Sequence, residues 1–156
     1  GSQSGRVVRG SRVVIAVDTN ILVYAHRQES EWHQSALTAM MSLAEGQARW
    51  AIPWPCVHEF VAITTHPEIW QAPTPLDVSM SALDAWLDLA TCSAIGEGPS
   101  YFSYLKDLAL RGRVTGPKIH DARVAAICIY NGVDVLWSAD RDFSRFSDLR
   151  TENPLL

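Results

Sequence analysis

Four carboxylates in this 156-residue chain fall where a fold could bring them together. Asp18 closes the apolar run Val13 to Val17. Asp140, with Ser138 just before it, follows a second apolar run, Val135 to Trp137, in the same way. Glu59 has Cys56 at i−3 and Ile63 at i+4, so on a helix it borders an apolar face. Asp121 falls in the first turn of an expected helix. Each acid also has an ordinary structural role. Asp18 could close a turn, Glu59 could be a surface glutamate, and Asp121 could favour the positive helix end by about 0.3–1 kcal/mol. Convergence is what makes them informative, because carboxylates that close raise one another's pKa and need a counter-ion. With no paired Cys and no ordered His set, an all-carboxylate site favours a hard divalent cation, Mg²⁺ or Mn²⁺. Such an ion accepts phosphate oxygens, supplies a water as nucleophile and offsets charge on a leaving oxygen, which is the chemistry of phosphodiester cleavage.

The elements that would hold these acids can be read in order. Val13 to Val17 is apolar and β-branched, as in a strand buried on both faces at the centre of a parallel sheet. Ligands in such sheets gather beyond the carboxyl ends of the strands, where Asp18 lies. Thr19 or Asn20 is the expected cap of a helix from Ile21 to Arg27. Ser30 is the expected cap of a second helix, ending at Gly46, with Ala36, Leu37, Met40, Met41 and Ala44 on one side. Trp50 to Pro53 reads as a strand, and Pro55 suits the first turn of the helix that carries Glu59 to about Thr65. After a proline-punctuated loop, Thr74, Pro75 and Asp77 suggest a capping box for a helix burying Leu76, Met80, Leu83 and Leu87. A strand over Cys92 to Gly96 precedes a helix from Pro99 to Arg111 with Phe102, Leu105, Leu108 and Ala109 inward. A Gly-rich cationic loop leads to the helix from Lys118 to Gly132, whose inward stripe is Ala122, Ala125, Ala126 and Ile129. The tail offers one helical turn and an edge strand near Leu149 to Thr151. This order predicts a single α/β domain with a mainly parallel sheet of four or five strands flanked by helices.

Composition narrows the classes. The 47% hydrophobic and 19% charged content is that of a globular chain. No apolar run reaches membrane-spanning length, and no signal-peptide pattern opens the chain. Cys56, Cys92 and Cys128 are odd in number and widely spaced, which argues against a disulfide framework or zinc site and suits a reducing cytoplasm. Residues 1–12 read as a cloning remnant and flexible basic lead-in, leaving 13–156 as the domain. The net charge of −4 is the wrong sign for a nucleic-acid enzyme, so any phosphate contact must come from a local cationic patch. Arg111, Arg113, Lys118 and Arg141 are the candidates nearest the expected strand edge; a merely solvated loop is the alternative for them.

Several segments together resemble the PIN-domain family, and within it the VapC-type ribonuclease toxins of bacterial toxin–antitoxin pairs. They are VDTNILVYA with Asp18, HEF with Glu59, THPEIW, HDARVAA with Asp121, SADRDFSRF with Asp140 and Asp142, and NPL. The likeness runs from about Val13 to the end. No piece is specific alone; their order and spacing are. The resemblance implies a PIN-like nuclease domain over 13–156 and a Mg²⁺- or Mn²⁺-dependent endoribonuclease, with Asp18, Glu59, Asp121 and Asp140 as the acidic quartet. It implies auxiliary roles for Asn20 and Ser138. Asp142 either reaches the site through water or caps the next helical turn, the latter favoured. Hydrolysis would leave a 5′-phosphate and a 3′-hydroxyl. His120, beside Asp121, is expected in a packing or loop contact, because helix neighbours face different ways. An RNA substrate, a cognate antitoxin carrying an arginine into the acids, and a homodimer are further implications. Trp32, Leu37 and Met41 are candidates for an apolar groove receiving an antitoxin helix.

Other readings compete. A haloacid-dehalogenase-like phosphatase needs a second acid two residues after the first, where Asn20 stands. A receiver-like domain needs paired acids before Asp18 and a late lysine. A catalytically inactive PIN-fold binding module would have no reason to keep four acids. A structure-specific DNA nuclease would use the same metal chemistry.

Overall fold

A computed structural model describes residues 13–156; the expected remnant and lead-in, residues 1–12, lie outside the described residues. Five parallel strands form one sheet in the order β3-β2-β1-β4-β5. They are β1 (Ile15–Val17), β2 (Trp50–Pro53), β3 (Cys92–Ile95), β4 (Val135–Trp137) and β5 (Arg150–Glu152). Six helices connect them: α1 (Thr19–His26), α2 (His33–Glu45), α3 (Trp54–Thr64), α4 (Leu76–Leu87), α5 (Tyr101–Arg111) and α6 (Ile119–Tyr130). Short 3₁₀ turns cover Gly116–Lys118 and Arg141–Arg145.

β1 takes the centre, with β2 and β4 paired on either side of it, and its apolar run suits a strand covered on both faces. Ala16 and Val17 of β1 are fully buried, as are Ile52 of β2 and Leu136 of β4. The chain runs outward through α1–α4 to β2 and β3, then crosses back through α5 and α6 to β4. Right-handed crossovers in opposite directions put the two helix sets on opposite faces of the sheet. The direction reverses between β1 and β4, so the crevice for a ligand opens at the carboxyl ends of these two strands. Their register pairs Val17 with Trp137, and the Asp18 N–H donates to the Trp137 carbonyl at 2.9 Å. The residues after the two strands, Asp18 and Ser138, thereby stand side by side.

Several local expectations are corrected. The N-cap of α1 is Asp18, not Thr19 or Asn20, and its side chain makes no capping bond, which leaves the carboxylate to the crevice. Helix α2 starts at His33 rather than after Ser30; the Ser30 hydroxyl instead accepts from the Trp32 N–H. Pro75 caps α4 with no side-chain bond, because the Thr74 hydroxyl is taken by the Arg27 guanidinium at 3.0 Å. Leu83 of α4 is buried, but Leu76 and Met80 are 58% and 47% exposed. The helix is rotated so that Ser79, Leu83 and Trp86 face inward, with Trp86 edge-on to buried Phe60. In α5 Leu108 is buried and Leu105 packs against the core as expected, but Phe102 is exposed and Tyr101 is buried instead. In α2 Met41 is exposed and Leu37 half-buried, while Leu43 joins Ala36 and Met40 in the core.

Candidate active site

At the reversal point lies a cavity of about 590 Å³, and all four acids of the expected quartet line it. Asp18 comes from the end of β1, Glu59 from α3, Asp121 from the first turn of α6 and Asp140 from the loop after β4. The sequence puts them there for separable reasons. Two strands end at the same level. Pro53 and Pro55 start α3 directly at the end of β2, so Glu59 is only a turn and a half from the sheet edge. The 3₁₀ turn at Gly116, with φ of +59°, swings the chain into α6.

Asp18 is 8% exposed and is fixed by neutral donors. The Ser138 hydroxyl donates to its Oδ2 at 2.8 Å, the Asn20 amide approaches the same oxygen at 3.5 Å, and the Cys56 thiol faces Oδ1 at 3.5 Å. Ser138 also accepts from the Asp140 N–H at 3.0 Å, and the Asn20 side-chain oxygen accepts from the Ala139 N–H at 3.2 Å. Asn20 and Ser138 therefore tie the ends of β1 and β4 together. Burial pushes the Asp18 pKa above its ordinary value; those hydrogen bonds pull it back in part, and Asp140 adds to the rise. Glu59 is raised by desolvation, then by Asp18 and Asp121. Asp121 is raised by desolvation, then by Asp140. The acids therefore sense one another across the cavity.

Asp142, outside the quartet, joins Asp121 and Asp140 in a tight group, with one carboxylate oxygen of each within 4.8 Å of the others. Asp18 and Glu59 face the same cavity without belonging to that trio. Asp142 is not the cap of the 3₁₀ turn; Asp140 is, accepting from the Asp142 N–H at 2.8 Å. The Asp142 carboxylate is ion-paired with Lys118, whose ammonium also stands 3.9 Å from Asp121. That pairing holds the Asp142 pKa below its ordinary value.

Of the four expected cations, Lys118 stands at the acids. Arg113 and Arg141 are exposed near them in sequence. Arg111 is held between Asp107 and Asp148, so it is already engaged. His120 is exposed and lines the cavity, which corrects its expected packing or loop contact: the start of α6 is open to solvent, with Ile119 exposed as well. His58, Arg123, Tyr24 and Trp70 also line the cavity and were not expected. All four had a signal in the segments that carry the resemblance: Tyr24 in VDTNILVYA, His58 in HEF, Trp70 in THPEIW and Arg123 in HDARVAA. The Trp70 ring lies under Arg27 at 4.2 Å and its indole N–H donates to the Ile63 carbonyl. The expected groove residues Trp32, Leu37 and Met41 are not among those lining this cavity, whose apolar wall is instead Val23, Ala62, Ile63 and Phe143.

A doubly wound parallel sheet with an acidic pocket at its reversal point defines the class, and residues 15–149 match the PIN domain. The chain is 30% identical over 142 residues to ribonuclease VapC43 of Mycobacterium tuberculosis, covering 91% of this chain and 96% of that one. It is 25% identical over 137 residues to ribonuclease VapC48 of the same organism, covering 88% and 94%. The crystal structure of VapBC2 from Rickettsia felis, bound to a DNA fragment from its promoter, has the same fold. It superposes with a TM-score of 0.66 at 20% identity, over 90% of this chain and 98% of that one. The chain belongs to the PIN-domain family, in its VapC branch.

Proposed function

We propose that this protein is a Mg²⁺- or Mn²⁺-dependent endoribonuclease and the toxin of a toxin–antitoxin pair. The observation that carries the reading is the convergence of Asp121, Asp140 and Asp142 within 4.8 Å, beside a buried Asp18 that has only neutral partners. The VapC relatives are named ribonucleases. The donor set fits the ion: hard carboxylate oxygens, with the buried Cys56 thiol turned to Asp18 Oδ1 and Cys92 and Cys128 buried and free. Asp18, Glu59, Asp121 and Asp140 would hold it. When bound, the cation would supply Lewis acidity to the scissile phosphate and a nucleophilic water at neutral pH.

The chain's own groups do the rest. Ser138 and Asn20 keep Asp18 in one orientation. Asp121 or Asp140 orients the attacking water, and the products carry a 5′-phosphate and a 3′-hydroxyl. Asp142 is the variable member, because Lys118 holds it. Lys118, Arg113 and Arg141 are the proposed phosphate contacts. Arg111, engaged by two acids, is left out of that set. Among the described residues no helix is long and apolar enough to cross a membrane, which suits action on cytoplasmic RNA. The proposed antitoxin inserts an arginine among the acids, where a bidentate pair forms, and its apolar segment lies along Val23, Ala62 and Ile63 rather than on α2. A homodimer is proposed from the family alone.

The test is cleavage of matched single-stranded RNA and DNA oligonucleotides with Mg²⁺ and with EDTA. RNA cut only with the metal supports the reading. Preferential cutting of DNA, or cleavage of RNA that survives EDTA, overturns it.

A further inference from the structure

Trp54 begins α3 directly beyond β2 and is 43% exposed, although indole is a costly ring to leave in water. Its orientation is fixed on two sides. His58, one turn later, stacks with it at a centroid distance of 6.4 Å and an interplanar angle of 25°. Gly96, just past β3, lies so close that a Cβ built there would stand 2.9 Å from Trp54 Cδ1. The missing side chain at Gly96 is what lets the indole lie against the strand end. Other exposed apolar side chains, Phe102, Leu110, Leu76 and Met80 among them, do not line the acid cavity. Trp54 does not line it either, but its stacking partner His58 does, together with the next residue Pro55 and with Glu59, so the platform borders the cavity. Next to Gly96, Glu97 accepts from the Arg123 guanidinium at 2.7 Å, and Arg123 lines the same cavity.

We propose that Trp54 and His58 form a nucleobase-stacking subsite for one unpaired base of single-stranded RNA flanking the cleaved bond, with Arg123 beside it for the adjoining phosphate. The inference rests on the ribonuclease reading for its ligand. A protein partner would cover a broad apolar surface. Here one flat ring is bordered by an imidazole, a carboxylate, a guanidinium and an acid cavity, the surroundings that suit a flat base joined to a phosphate. Unpaired RNA bases are recognised by stacking on aromatic side chains, and such stacking tolerates any base because every base has a π-face.

The experiment uses the full chain carrying Asp121→Asn, so that bound RNA stays intact. Its affinity is measured for a short single-stranded RNA and for a series of the same RNA with one abasic position moved along it. The expected result is a loss of about 10-fold or more at one position, with Trp54→Ala lowering affinity for intact RNA similarly and becoming indifferent to that position. Trp54→Phe should retain the sensitivity. Gly96→Ala, which displaces the indole, should weaken it. Unchanged RNA affinity in Trp54→Ala, or the same abasic sensitivity in both proteins, overturns the subsite. So does a change in oligomeric state on gel filtration with RNA binding intact, which would assign the ring to a protein contact. Cleavage by the wild-type chain, followed in parallel, reports separately on the ribonuclease reading. Abasic sensitivity without cleavage would sink that reading and leave the subsite standing; cleavage without the sensitivity would do the reverse.

Discussion

Asp18 and Asp142 are both neighbours of Asp140, and their charges are held in opposite ways. Asp18 is buried, receives hydrogen bonds only from neutral groups, and has its pKa raised. Asp142 is half-exposed, paired with the Lys118 ammonium, and has its pKa lowered. Neutral donors fix a carboxylate's geometry but leave its charge unopposed. The inner part of the site is thus rigid and short of positive charge, while the rim carries a cation of the chain's own. An external cation gains most at the inner acids and must compete with Lys118 at the rim.

The largest expected effect comes from the inner acid. Asp18→Asn should lower RNA cleavage by about 10²–10³-fold or more while leaving the fold intact. Full activity in this variant would remove Asp18 from the site. Its companion is a stability profile of the metal-free protein against pH. For Asp18, Glu59 and Asp121 the folded pKa lies above the ordinary value. Their contribution to stability is therefore complete below the ordinary carboxylate range and is lost as pH rises through the raised values. Asp142, with its pKa lowered, runs the other way: its contribution is present above the ordinary 3.8 and is lost as pH falls through the lowered value. Thermal melts should show wild type losing ground to Asp18→Asn as pH climbs past 3.8. Parallel curves would mean that Asp18 carries no unopposed charge.

Next in size is the support for that acid. Ser138→Ala removes a buried hydroxyl that donates to Asp18 and accepts from the Asp140 N–H. The expected cost is about 1–3 kcal/mol of stability and about 10- to 100-fold in metal affinity or activity, read by melts and by cleavage kinetics. A wild-type metal affinity would show that the hydroxyl is not what aims Asp18.

The rim should respond in the opposite sense. Lys118→Met frees Asp142 and removes a charge 3.9 Å from Asp121, so Mn²⁺ affinity by calorimetry should rise several-fold, and the rise should shrink in an Asp142→Asn background. Weaker Mn²⁺ binding would mean that the lysine organises the site instead of competing in it. The smallest effect belongs to Arg111→Ala. Its guanidinium is exposed and spans Asp107 and Asp148, an arrangement that contributes little at a surface. No change in RNA affinity or its salt dependence is expected, and a flattened salt slope would return Arg111 to the RNA contacts.

This contrast also marks what was legible in the sequence. Strands β2 and β4 match the apolar runs residue for residue, because buried parallel strands must be apolar on both faces. Acids just past such runs, Asp18 and Asp140, then have one place to go, and Glu59 and Asp121 join them at the cavity from the early turns of their helices. Periodicity gives angles between residues on a helix but not which way the helix faces; Leu76, Met80 and Phe102 were misplaced for that reason. The pairing of Lys118 with Asp142, 24 residues on, and of Arg111 with Asp148, 37 residues on, depends on how loops close in space. The platform of Trp54, His58 and Gly96 needs β2 and β3 to lie side by side, which spacing along the chain does not reveal.

In the proposed function these acids act on RNA through a divalent cation. The most direct measurement is the rate of single-stranded RNA cleavage as Mn²⁺ is titrated into metal-free wild type and Asp140→Asn. No cleavage is expected without metal, with a saturable rise in wild type and a curve for Asp140→Asn lowered and shifted to at least about 10-fold higher Mn²⁺. Superimposable curves, or a wild-type rate independent of Mn²⁺, would contradict that function.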